Sequence, residues 1–155
     1  MDKESATITF NSGRVSTLGS SNLEFTGIPL KEILGDMWDK YKKFKLVLNT
    51  HAGNFNSGFF NREYMIRISG LPFTNTTDFN YVPNKTGRCL YYALQTKSTT
   101  MQNLNQFVAN NGGTFLKPAN PNVDIFISFL DRGLGPPNIN LGFNIFTFSI
   151  YGVEE

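Results

Sequence analysis

A nucleophilic pair in this 155-residue chain would have to be built from His51 and Cys89, because the sequence holds one histidine and one cysteine. A thiol activated by an imidazole needs the two side chains within hydrogen-bond reach. The local sequence argues against it. Cys89 lies in Arg88–Thr96, where Leu90, Tyr92 and Leu94 alternate with Cys89, Tyr91 and Ala93. That is strand spacing, and it makes Cys89 a small sheet or core residue. His51 opens His51–Gly58, a segment that reads as a turn-rich loop, so the imidazole is expected at the surface. A Ser/His/acid triad would compete for the same His51, and no Gly-x-Ser-x-Gly elbow precedes any serine. A zinc site would need more ligands of these two types than the chain has.

The remaining candidates are also weak. Twelve carboxylates are spread along the chain without a pairing pattern, and Asp124 and Asp131 bracket a strand, where charged end residues are normal. Thr74–Asn80 supplies oxygen ligands for calcium but lacks the 12-residue loop pattern. Lys40-Tyr41-Lys42-Lys43-Phe44-Lys45 interleaves bases with aromatics, as a single-strand nucleic-acid surface would. Here Tyr41 completes a helical stripe and Phe44 begins a strand, so the lysines read as their solvated neighbours. Gly133-Leu134-Gly135-Pro136-Pro137 is a turn, since no Gly-Lys-Ser/Thr follows and the prolines remove donors. The expectation is a protein without catalytic residues, cofactor or metal, and without nucleic acid as partner.

Composition narrows the class further. The length fits one domain, residues 1–155, and a chain of this size buries enough surface to fold without disulfides. Fifteen phenylalanines favour strands and a thick core. Eighteen asparagines suit turns. A net charge of +2 is too small for a protein that must neutralise many phosphates. The N-terminus lacks the pattern of a signal peptide and no apolar run is long enough to span a membrane, so a reducing cytosol is the expected site of synthesis. The sequons at Asn75 and Asn84 occur no more often than chance dictates.

Period-two alternation marks most elements that must position these residues. It runs through Ala6–Phe10, Asn22–Thr26, Phe44–Asn49, Glu63–Ser69, Arg88–Thr96 and Val123–Leu130. The longest case is Asn140–Gly152. Leu141, Phe143 and Ile145 alternate, and then Phe146, Phe148 and Ile150 resume one residue out of phase, which predicts a bulge at Ile145–Phe146. Phe143, Phe146, Phe148 and Ile150 are expected inside, Thr147 and Ser149 outside. Helical spacing from Leu30 to Tyr41, entered at Pro29, predicts one helix. Met101, Leu104, Phe107 and Val108 predict a second, ended by Asn110-Asn111-Gly112-Gly113. Leu71–Asn84 reads as a long loop. Seven or so strands with one or two short helices imply an antiparallel sandwich or barrel. The first strand should pair with the long last one, which would otherwise leave an apolar edge exposed.

Four features appear in order: the helix running into Lys42-Lys43-Phe44-Lys45-Leu46-Val47-Leu48; Tyr64–Ser69 ending in Gly70-Leu71-Pro72-Phe73; Val123–Leu130 followed by Asp131-Arg132 and a Gly/Pro turn; and the closing Phe148-Ser149-Ile150-Tyr151-Gly152-Val153. In this order the chain resembles the single jelly-roll capsid proteins of large icosahedral double-stranded DNA viruses of the giant-virus type, the penton and minor capsid class. The resemblance implies an all-β antiparallel sandwich, a single jelly roll with one or two short helices in its connections. It implies a virion structural protein, at the capsid vertex as a penton or elsewhere as a minor capsid component. Its partners would be itself, as a homo-oligomer with a pentamer expected, and the major and minor capsid proteins. Its place would be the virion capsid after synthesis in the host cytoplasm. The residues also leave open a carbohydrate- or ligand-binding sandwich for host attachment, with Phe55, Phe59, Phe60, Phe73 and Tyr81 stacking on sugar rings.

Overall fold

The computed structural model describes residues 4–12, 22–57, 63–74, 87–94, 102–103, 112–130 and 140–154. The strands are β1 (Ser5–Asn11), β2 (Asn22–Pro29), β3 (Lys43–Ser57), β4 (Glu63–Ser69), β5 (Gly87–Leu94), β6 (Gln102–Asn103), β7 (Gly112–Leu116), β8 (Asn122–Leu130) and β9 (Asn140–Gly152). Two short helices, α1 (Leu30–Leu34) and α2 (Met37–Lys40), join β2 to β3.

One sheet has the order β1-β9-β3, with β6 and β7 both paired to the far edge of β3. The other has the order β2-β8-β4-β5. β7 pairs with residues 43–47 and β6 with Ala52 and Gly53, so the two are pieces of one interrupted edge strand. Every pairing is antiparallel. Counting β6 and β7 as one, the chain lays eight strands alternately into two four-stranded sheets, crossing from sheet to sheet except between β4 and β5. That is the single jelly roll. β1 and β9 pair from Ser5↔Tyr151 to Asn11↔Ile145, the expected first-to-last pairing.

Between the sheets lies a core rich in phenylalanine. Phe44, Phe115, Phe129, Phe146 and Phe148 are fully buried, together with Leu23, Ile66, Ile68, Ile127 and Ile150. Phe10 bridges the two layers: its ring lies 4.8 Å from Phe25 of the facing sheet and 5.8 Å from Phe148 of its own. The expected interior positions Phe146, Phe148 and Ile150 are all buried. The side chain of Phe143 lies outside the described residues.

Five expectations are corrected. The predicted helix Leu30–Tyr41 is two pieces, because Gly35 takes φ 58° and closes α1 by donating to the Lys31 carbonyl. Its apolar stripe survives the break: Leu30, Leu34, Met37 and Trp38 are buried. The bulge predicted at Ile145–Phe146 is absent, since the β1–β9 register runs unbroken through both residues. The phase slip arises because the interior position before Phe146 is held by a polar residue, Asn144. The extra residue on β9 falls instead between Leu141 and Asn144, opposite Gly53 to Phe55. A second irregularity puts the extra residue on β3, at Asn49.

The segment His51–Gly58 is not a loop: β3 continues through Ser57, held by pairing with β9 down to Ser57↔Asn140. Gln102 and Asn103, inside the second predicted helix, are extended, while Met101, Leu104, Phe107 and Val108 lie outside the described residues. Gly112–Leu116, taken in part as a helix terminator, is a strand. Its outer edge is sealed by the chain itself. Leu116 N–H donates to Pro72 O at 3.0 Å and Thr74 N–H to Thr114 O at 2.9 Å.

Candidate functional site

The sequence places an extended strand at Thr50–Gly53 only through tertiary pairing, and this puts His51 in the interior. The ring is fully buried. It stacks on Phe146 at 3.9 Å between centroids, with planes 15° apart, and meets Phe129 of the opposite sheet edge-on at 6.0 Å. Nε2–H donates to the Asn144 side-chain oxygen at 2.9 Å. Asn144, also fully buried, donates its backbone N–H to Ser12 Oγ at 2.8 Å. Ser12 directly follows β1. Three neighbouring strands are therefore joined by polar contacts inside an aromatic box.

Burial disfavours the charged ring. It lowers the His51 pKa to about 4, with the bond to Asn144 pulling weakly the other way. At neutral pH the imidazole is uncharged. The expectation of a surface histidine is corrected: what looked like a polar loop residue is a core member with a satisfied bond. His51 falls opposite Phe146 only through the pairing of β3 with β9, which alternation within either strand does not announce.

Cys89 does not join it in any described geometry. It lies on β5 of the other sheet, in register with Arg67, and its side chain is outside the described residues. Sequence reasoning missed Arg67 altogether. β4 is buried on both faces, with Ile66 and Ile68 on the core side and Arg67 and Ser69 on the other. An arginine amid Met65-Ile66-Arg67-Ile68 was the available signal, because an outward-facing charge on a strand is ordinarily solvated.

The lysine-rich segment has its aromatics turned inward. Phe44 is fully buried and Tyr41 half-buried, its ring edge-on to Phe44 at 6.4 Å and packed over Gly152. Lys40 forms an ion pair with Glu4, whose carboxylate raises the Lys40 pKa. Of the five aromatics considered for sugar stacking, Phe73 is buried against Phe115 at 6.2 Å. Phe59, Phe60, Tyr81 and the side chain of Phe55 lie outside the described residues, as do the sequons and most of the Thr74–Asn80 segment. Among the described residues no group of three or more His, Cys, Asp or Glu side chains could hold a metal. Among them, too, no helix is long and apolar enough to cross a membrane.

The β1-β9-β3-β7 sheet turns its other face outward. Small hydroxylated side chains, Ser5, Thr7 and Thr9 on β1, Thr147 and Ser149 on β9, Thr50 on β3 and Thr114 on β7, share it with Val47, Ile145, Tyr151 and the exposed Leu116. Lys43 and Lys45 are the charges in the described strands on this face. Asn49, on the bulge of β3, donates to Ser149 Oγ at 2.6 Å, so Ser149 is nearly buried rather than free on the surface.

No family model matches the chain, and no curated protein matches it. Among solved structures it aligns with a chain of the structure of Turnip Yellow Mosaic Virus at 12% identity and a TM-score of 0.27, covering 100% of this chain and 98% of that one. It also aligns with a chain of the cryo-EM structure of Mud crab tombus-like virus at 9% identity and a TM-score of 0.23, covering 100% and 84%. Superpositions this loose carry no argument, and the fold assignment stands on the strand order itself.

Proposed function

We propose that the chain is a virion structural protein: a single jelly roll that builds shell by self-association, at a capsid vertex as a pentamer or as a minor capsid component between larger capsomers. It acts through surfaces rather than through catalysis. The observation that carries this reading is the complete eight-strand jelly-roll order, in the chain whose sequence features resemble the penton and minor capsid class. Two further observations support it. The histidine that catalysis would need is locked inside the core. On the outer face of the first sheet the described strands carry few charges, as the centres of interfaces do.

Native mass spectrometry of the purified chain tests the proposal. A closed ring of one stoichiometry, five for a vertex component, is the expected result. A strict monomer at all concentrations that binds immobilised glycans would replace the shell reading with a host-attachment module.

A further inference from the structure

We propose that Ser12, Asn144 and His51 form an acid-released clamp: protonation of His51 opens the end of the sheet where β1, β9 and β3 are joined by this cluster, while the half near α1 and α2 stays closed. The inference is independent of the shell-building reading.

The geometry sets up the local effect. His51 is the chain's one histidine and is fully buried. It reaches across to β9 through Asn144, and Asn144 reaches on to Ser12 at the end of β1. The backbone on either side is irregular, with an extra residue on β3 at Asn49 and one on β9 between Leu141 and Asn144. Between these two breaks the sheet is short, and the polar cluster is what spans all three strands. A cation there would sit between Phe146 and Phe129, far from water.

Among the described residues, β9 presents Asn144 and Phe146 to the ring, β8 presents Phe129, and β1 ends in Asn11 and Ser12. Arg67 of the facing sheet lies on the side of β4 away from the core, opposite Ile66 and Ile68. The lowered pKa has burial as its largest cause, with the bond to Asn144 opposing it. Its sign follows. The closed clamp binds a proton only near pH 4, whereas an opened imidazole takes one up from about 6.5. The closed state is favoured fully above that upper value and loses its advantage as pH falls towards the lower one.

Amide hydrogen exchange, corrected for the intrinsic rate, reads the opening directly. Between pH 7.5 and pH 5 the opening constant for residues 50–53 and 144–147 should rise about 30-fold, from the two protonation midpoints. Amides of Leu46, Leu48, Phe148 and Ile150 should change far less. In His51→Gln, which keeps a donor but does not titrate, the pH dependence should vanish. A uniform rise along both halves, no rise at all, or an unchanged rise in His51→Gln would each overturn the clamp. Should that variant fail to fold, an NMR titration of the unaltered chain decides instead. The His51 ring and the loss of protection must then share one midpoint, and two separate midpoints overturn the proposal.

Discussion

The same three strands, β1, β9 and β3, are held together differently at their two ends. Near α1 and α2 the inward positions are Leu46, Leu48, Phe148 and Ile150, all buried and all apolar. Past the Asn49 bulge Phe146 is still buried, but Ser12, Asn144 and His51 around it are equally buried and polar. Burial of a phenylalanine contributes without regard to direction, roughly 1.5–3 kcal/mol. A buried hydrogen bond contributes less, about 0.5–1.5 kcal/mol net, but leaves a penalty if one partner is lost. One end is therefore tolerant of small shifts and intolerant of lost volume. The other is tolerant of little except the pairing it has.

The largest effect expected from disturbing this contrast is at Phe148. Its ring is fully buried and meets Phe10 at 5.8 Å, so Phe148→Ala removes both area and a contact between strands. It should cost about 3–5 kcal/mol, read as a lower midpoint in urea with the slope unchanged. A harmless substitution would mean that the apolar half does not carry the sheet.

Next comes Asn144→Ala, which leaves the His51 Nε2–H without its acceptor. A cost of about 1–3 kcal/mol is expected at pH 7.5, confined in hydrogen exchange to the polar half. Equal weakening of both halves would show that the two ends are one cooperative unit. Smallest is Ser149→Ala on the outer face. It removes the acceptor of the Asn49 bond at 2.6 Å and should cost about 0.5–1.5 kcal/mol in the isolated subunit. A larger loss seen only in oligomer stability, by concentration-dependent sedimentation, would place that face in an interface.

This contrast also explains what could be read in advance. β1 declares itself by alternation of apolar and polar residues, β4 and β8 by an apolar residue at every second position, and the β1–β9 pairing follows from the need to cover two edges. The apolar half of β9 was legible for the same reason. Its polar half was not. A buried asparagine breaks the pattern as a solvent-facing residue would, and only its partner on another strand, ninety-three positions away, shows that it faces inward. His51–Ser57 and Gly112–Leu116 were hidden likewise, because Asn- and Gly-rich segments become strands when a neighbouring strand supplies the hydrogen bonds. The helix Leu30–Tyr41 was legible as an apolar stripe but not as two pieces, since one glycine sets the break.

The pairing of Ser5 with Tyr151 has a consequence for the making of the protein. Synthesis is vectorial, and the 146 residues between these partners take roughly 7–30 s at about 5–20 residues per second. Through that interval β1 exists with no strand to lie against. The first sheet cannot close until β9 has been made. An uncharged edge stays open for that time, when neighbouring nascent chains on one message are closest together. The architecture that sets β1 beside β9 in one sheet thus concentrates its risk of misassembly into the seconds before β9 arrives.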